Sequence, residues 1–403
     1  MGCKLTHARM VAVLCALAGS LAIAGTANAA ADGGPGTVRL FQNAGHSFDR
    51  YTYDPSPSAR EWMNAKYWRM RTYAPYFDSR LAWFPNAWTY RDLYAIYRDE
   101  QLAQEHPEWI LRDAQGNKLY IPFDCGGGTC TQYAGDIGNP QFRAHWIDAA
   151  SAQAAPYRGL FIDDVNMVFR VGDGAGQPVD PIDPRTGAPM TESDWRRYIA
   201  EFTEQIRQAM PSKEIVHNAL WFAGHDDPYV QRELAAADYI QLERGVNDAG
   251  LTGGGGQFGL ETFLQYVDWL QARGQGVVFA ASAFGEADRE YGLAGYFLIS
   301  SGRDAIGNDE GATPDDWWPG YDVELGAPRG ERYVWQGLLR RDFVNGYVLI
   351  NQPQAPTQTI QLGDSARGPT GQPLPSATLA AAQGVVVVDP TGAPETPPRS
   401  SLR

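Results

Sequence analysis

Only four cysteines occur in 403 residues, and two of them, Cys3 and Cys15, fall in the first 15 positions. That excludes a dense disulfide framework and leaves too few thiolates for a zinc centre. The six histidines are well separated, which argues against a His-rich metal site, and no metal ligand set is assigned. There is no Gly-x-Ser-x-Gly elbow, no phosphate loop ending in Gly-Lys-Ser/Thr and no His-Glu-x-x-His. The motif-borne forms of serine hydrolysis, nucleotide binding and zinc peptidase chemistry are therefore missing. Positive charge is also short: 33 Lys and Arg stand against 47 Asp and Glu, a formal charge of −14. Such a surface repels nucleic acid and anionic lipid, so neither is an expected partner. A strongly polyanionic substrate is disfavoured too, unless a local basic cleft overrides the global sign.

The N-terminus has Lys4 and Arg9 but no acid before Asp32, then an apolar run over 10–24 and small residues ending at Ala27-Asn28-Ala29. This is the order of a secretory signal cleaved after residue 29. At about 15 residues the run falls short of the ~20 that span a bilayer, and no later segment is longer, so no membrane insertion is expected after cleavage. Loss of the two leader cations leaves 31 basic against 47 acidic residues, a formal charge of −16. A secreted or periplasmic protein is expected. In that oxidising setting Cys125 and Cys130, separated by Gly126-Gly127-Gly128-Thr129, should pair as a disulfide.

Short apolar runs recur along the chain: 37–43 (TVRLFQN), 93–97, 159–165 (GLFIDDV), 214–222 (EIVHNALWF), 239–243 (YIQLE), 276–281 (GVVFAA) and 296–300 (YFLIS). Amphipathic helix patterns lie between them at 141–155, 192–210, 228–236 and 260–273. Buried strands alternating with helices predict a parallel sheet covered on both faces, and the spacing fits a (β/α)8 TIM barrel over residues 30–340. After about 340 the helix pattern stops. Runs at 341–352, 357–362 and 383–388 predict a small antiparallel β domain over 341–390, followed by a disordered Pro-rich tail over 391–403.

Active groups of such barrels project from the C-terminal ends of the strands. Asp163 and Asp164 end one apolar strand and are costly to desolvate without a task or partners; a solvated turn is the plain alternative. Alternation puts Asp163 on the side of Phe161 and Asp164 on the other, so that one should face the barrel mouth while its neighbour caps or braces the following loop, with Asp164 and Asn166 as candidates for substrate contact. Glu243 ends another strand and precedes a glycine-rich loop over 250–259, the position of a substrate lid, although Glu243 and Arg244 could equally form a surface pair. Facing carboxylates across a barrel mouth supply the acid and the nucleophile or base that glycosidic cleavage needs. His217 and Asn218 end the strand between them and could bind sugar hydroxyls, or His217 could be a core residue. Asp304, next to Arg303 and the acidic run Asn308-Asp309-Glu310, fits a substrate contact, a solvated loop or a calcium site. Aromatics are 12% of the chain, and Trp83, Trp88, Trp221, Trp317 and Trp318 are candidates either for sugar stacking or for core packing.

Several segments in order also carry a resemblance: His106-Pro107-Glu108-Trp109-Ile110, Asp113-Ala114-Gln115-Gly116, Asp136-Ile137-Gly138-Asn139-Pro140, the GLFIDDVN strand, the YIQLE strand, and Arg341-Asp342-Phe343 with 346–351 (GYVLIN). Together they resemble glycoside hydrolases of the hypothetical glycosyl-hydrolase-like type, similar to the barrel superfamily of α-amylases and α-galactosidases. The resemblance implies a TIM barrel with a C-terminal β domain. It also implies a nucleophilic aspartate ending the fourth strand in a Gly-x-x-x-Asp setting, which Asp163 matches. The acid/base lies on the fifth strand in amylase-like barrels and on the sixth in galactosidase-like ones. The Glu243 strand counts as the sixth, where galactosidase-like barrels carry aspartate, a departure. The expectation is a secreted glycoside hydrolase acting on a poly- or oligosaccharide without a cofactor. The rivals are a non-catalytic carbohydrate-binding protein on the same scaffold and a hydrolase of another bond, such as an esterase.

Overall fold

The computed structural model describes residues 33–281, 285–307 and 310–389. The leader expected over 1–29 and the tail expected over 391–403 lie outside them, as do Asn308 and Asp309. Eight parallel strands close a barrel: β1 (Leu40–Asn43), β2 (Tyr67–Thr72), β3 (Ala87–Asp92), β4 (Gly159–Val165), β5 (Glu214–Ala219), β6 (Tyr239–Arg244), β7 (Gly276–Ala281) and β8 (Ala305–Gly307). Each strand pairs with its neighbours in sequence order, and β1 pairs with β8 to complete the ring. The outer layer includes α1 (Pro57–Lys66), α2 (Pro140–Ala154), α3 (Glu192–Ala209), α4 (Pro228–Ala235), α5 (Leu260–Gln271) and α6 (Glu286–Ile299). This is the expected TIM barrel.

Local chemistry starts the helices where the sequence places them. Asn139 caps α2 by accepting from Gln141 N and Phe142 N, with Pro140 at the first helical position. Asp227 and Pro228 do the same for α4, and Thr191 with Asp194 forms a capping box on α3. Alternation along each strand sorts the core. Leu160 and Ile162 pack outward beneath the helices, while Phe161 joins Phe41, Trp68, Trp88, Val216, Tyr239 and Val278 inside the barrel. Gly159 opens β4 because a Cβ there would stand 2.1 Å from the Glu214 carbonyl oxygen of β5.

Two strand expectations are corrected. The run at 93–97 does not enter the barrel: Ala95–Tyr97 pairs antiparallel with Gln132–Ala134 outside it, and the third barrel strand is the preceding Ala87–Asp92. The unbroken aromatic run over 83–97 hides the period that would have located it. The run at 296–300 is the end of α6, whose residues from Tyr291 to Ile299 are all buried. A helix covered on every side loses its 3.6-residue pattern and imitates a core strand. The eighth strand is the three-residue β8.

The antiparallel sheet that follows begins at Tyr333, earlier than residue 341, and contains β9 (Tyr333–Trp335), β10 (Leu338–Phe343), β11 (Gly346–Asn351) and β12 (Gln383–Val388). One face, with Leu339, Phe343, Val348, Ile350 and Val386, joins the barrel core; the other packs on the hairpin Gln358–Gln361/Ser376–Leu379. Arg341 ties the sheet to α6 by donating to the carbonyls of Phe297 and Ser300 at 3.0 and 2.9 Å. Cys125 and Cys130 are disulfide-bonded. Among the described residues no helix is long and apolar enough to cross a membrane.

The barrel floor is held by charge. Glu214 accepts from Arg69 Nε and Nη2 at 3.0 and 2.9 Å, from Trp88 Nε1 at 2.8 Å and from Arg158 Nε at 3.0 Å. Burial alone would raise its pKa, but Arg69 and these hydrogen bonds hold it down at about 2. A depressed carboxylate contributes stability that is complete above its unfolded value of 4.5 and is lost as pH falls toward 2. Glu214→Gln should therefore cost about 3 kcal/mol at pH 7. Urea unfolding at pH 7 and pH 2.5 should show the gap between wild type and variant closing at the lower pH; an equal gap at both would disprove the account.

Candidate active site

The C-terminal ends of β3 to β6 bring the site together. Asp163 stands at the mouth on the Phe161 side of β4. Its Oδ2 accepts from the Tyr90 hydroxyl at 2.7 Å. Its Oδ1 accepts from Asn218 Nδ2 at 2.7 Å and from the backbone N–H of Asp164 at 2.8 Å. Burial, with the adjacent Asp163 charge adding to it, pushes the Tyr90 hydroxyl above the ordinary phenol range, so that it stays a donor.

Asn218 is the hinge of the arrangement. The same Nδ2 that meets Asp163 donates to Glu243 Oε1 at 2.9 Å. The two carboxylate oxygens are thus at most 5.6 Å apart, the sum of the two contacts. Asp163 is half-buried and Glu243 exposed, on the fourth and sixth barrel strands. Each is followed by a residue in the left-handed region, Asp164 at φ 55° and Arg244 at φ 64°. Non-glycine residues reach that region at a steric cost, and here it turns the chain away just after each carboxylate.

Asp164 points from the other side of β4 and is buried, paired with Arg170 and accepting from Asn166 Nδ2 at 3.1 Å. Burial pushes its carboxyl up to about 6, Arg170 opposing the shift and Asp163 adding to it. Asp92 ends β3 beside them, buried, accepting from the backbone N–H groups of Tyr94 and Ala95 at 2.8 and 2.7 Å. Burial and then the charges of Asp164 and Asp163 hold its carboxyl well above the usual range. An open cleft of about 400 Å³ runs from Glu243 and Asn218 past Asp164 and Asn166 to Trp221 and Phe222. Trp221 and Phe222 meet Phe258 with ring centroids 6.3 and 5.6 Å away, and Phe222 and Phe258 remain partly exposed. Phe258 comes from the glycine-rich loop. That loop is tied down at Gly254, whose N–H donates to Gln352 Oε1 at 2.8 Å.

Three sequence candidates do not belong to the mouth. Trp88 is fully buried near the start of β3, with its N–H on Glu214, so it packs the barrel floor and offers no face to a sugar. His217 alternates outward from Asn218 and is fully buried, its Nδ1 2.6 Å from Glu233 Oε1 of α4. Asp304 precedes β8 at the opposite end of the barrel. It is a buried acceptor for Val277 N, Ser301 N and Oγ, and Gln271 Nε2. Of the tryptophans, Trp221 lines the cleft. Tyr90, Arg71 and Arg170 were not anticipated. Tyr90 was lost with the misplaced third strand, and nothing local in the sequence distinguishes Arg71 or Arg170 from surface cations.

Residues 76–347 match the sequence profile described as Hypothetical glycosyl hydrolase family 15. The chain belongs to this family. No curated protein matches the chain. Among solved structures it is similar to the glycoside hydrolase domain of PelA from Pseudomonas aeruginosa, at 15% identity over 68% of this chain and 94% of that one, TM-score 0.39. It is also similar to an α-amylase from Geobacillus thermoleovorans complexed with acarbose, at 11% identity over 87% and 97%, TM-score 0.42. An α-galactosidase from Thermus thermophilus is similar at 12% identity over 76% and 65%, TM-score 0.46.

Proposed function

We propose that this family 15 member is a secreted, retaining glycoside hydrolase, with Asp163 as nucleophile and Glu243 as acid and then base. The observation that carries the reading is the single Asn218 Nδ2 shared by both carboxylates, which limits their oxygens to 5.6 Å apart. Retaining enzymes need about 5–5.5 Å, whereas inverting ones leave room for a water at about 6.5–9.5 Å. In the first step an oxygen of Asp163 attacks the anomeric carbon, the glycosidic bond breaks, and Glu243 gives its proton to the leaving oxygen. In the second, Glu243 takes a proton from water, the water oxygen bonds to the anomeric carbon, and Asp163 leaves as carboxylate. Tyr90, Asn218 and the Asp164 N–H orient Asp163 for attack and take up its charge when it departs. The exposed acid fits a group that must exchange protons with solvent, and the Trp221–Phe222–Phe258 platform suits the apolar face of a sugar ring.

The test is reducing-sugar release by the purified protein across plant, fungal and bacterial polysaccharides, with the anomer of the first product followed by NMR. Release with retained configuration is expected. A folded protein that is retained on a polysaccharide column yet releases nothing would favour the non-catalytic binding protein. Asn218→Ala should lower kcat/KM by about 10²-fold, since one preorganised donor is lost from both carboxylates. An Asn218→Ala enzyme within twofold of wild type would remove Asn218 from the mechanism.

A further inference from the structure

We propose that the side of the barrel mouth above β1 and β2 is an anion subsite, in which Arg71 holds a carboxylate carried by the sugar. The inference rests on the glycosidase reading and adds a substrate class to it, uronic-acid-containing glycans.

Arg71 stands near the C-terminal end of β2, in register with Asn43 of β1. Its guanidinium carbon lies 4.9 Å from the Phe161 ring centroid and 5.4 Å from that of Tyr90. Phe161 precedes Asp163 by two residues on the same face, and Tyr90 donates to Asp163, so the cation borders the reacting centre. It makes no hydrogen bond or ion pair among the described residues, and its Nε is shielded from solvent. Two arginines near it are matched by carboxylates: Arg69 by Glu214 on the floor and Arg170 by Asp164 at the rim.

A second cleft of about 580 Å³ opens beside Arg71, lined also by Arg50, His46, Gln42, Asn43 and Tyr73, with no carboxylate in its lining among the described residues. Arg50 is already engaged by Asp315 at 3.4 Å, which leaves Arg71 as the guanidinium there without a partner among the described residues. Against a formal charge of −14, a lining with two guanidinium groups and no carboxylate among the described residues is the reverse of the molecule's average surface. Holding an unpaired guanidinium half-buried is costly. A neutral hydroxyl or amide would leave the charge uncompensated. A carboxylate matches the planar fork with two parallel hydrogen bonds. Tyr73 and Tyr90, with ring centroids 4.9 Å apart, wall the side next to the guanidinium.

The experiment compares uronic-acid oligosaccharides with the same oligosaccharides after carboxyl reduction. Binding is measured by calorimetry to the full protein carrying Asp163→Asn, so that turnover does not interfere. The acidic form should bind about tenfold tighter. Arg71→Gln should bring its affinity down to that of the reduced form, and Arg71→Lys, which keeps charge but not the fork, should retain part of the preference. Circular dichroism and melting of each variant confirm that it is folded. Equal affinity for the two forms, a preference that survives Arg71→Gln, or binding of sulfated but not carboxylated glycans overturns the proposal, as does failure to bind any acidic oligosaccharide. Turnover is read separately with wild type. Hydrolysis of neutral glycans alone would sink the anion subsite and leave the glycosidase, whereas Arg71-dependent binding without any hydrolysis would sink the glycosidase.

Discussion

Asp163→Asn should silence hydrolysis by on the order of 10⁴-fold, or about 5.5 kcal/mol of transition-state stabilisation, while the protein stays folded. The amide has nearly the shape of the carboxylate but cannot form the glycosyl ester, so the chemical step is lost outright. The fold should hardly notice. Three donors converge on Asp163 (Tyr90, Asn218 and the Asp164 N–H), and an amide oxygen can keep those on one side. The amide nitrogen then faces a donor on the other, costing about 1 kcal/mol. The checks are initial rates on whichever glycan the panel identifies and a melting curve. Turnover above one-tenth of wild type would remove Asp163 from the nucleophile's role, and a collapsed melting transition would make it a structural residue instead.

Glu243→Ala should produce a different and more diagnostic loss. Without the acid, glycans with ordinary alcohol leaving groups should react about 10³-fold more slowly. Aryl glycosides with acidic phenol leaving groups need no proton and should form the glycosyl-enzyme at a rate within about tenfold of wild type. The intermediate should then persist, because no base activates water. Azide, which needs no deprotonation, should release it by forming a bond from nitrogen to the anomeric carbon as Asp163 departs, giving a glycosyl azide of retained configuration. Mass spectrometry of the trapped enzyme and NMR of the product check both steps. An inverted azide, or an equal loss on both leaving-group classes, would contradict the assignment. The exposure of Glu243 makes this substitution structurally mild: its carboxyl meets Asn218, and its neighbours are solvent and the cleft.

Much of this site was legible before any fold was known, because the barrel's logic is periodic. Gly159 to Val165 reads as one strand, and alternation by itself puts Asp163 on the side of Phe161 and Asp164 on the other. Counting strands placed Asp163 on the fourth and Glu243 on the sixth because the run misread at 93–97 adjoins Ala87–Asp92 and stands in for it in the count, while the run misread at 296–300 and the eighth strand at Ala305–Gly307 lie after both. The same periodicity, followed strictly, would have turned His217 outward, because it alternates with Asn218.

What the sequence determined by itself, then, is the architecture and the two carboxylates: burial of apolar strands between apolar helices is a local, repeating demand that residue order satisfies. Tertiary structure decided what those carboxylates touch. The contact of Asn218 with both acids joins β5 to β4 and β6, and the guanidinium of Arg71 lies over rings supplied by β3 and β4. Trp88 and Asp304, polar or aromatic like the true cleft residues, end at the floor of the barrel. The difference is one of position along the strand: a side chain at its start packs or pins the closed end, and the same side chain at its finish meets the substrate.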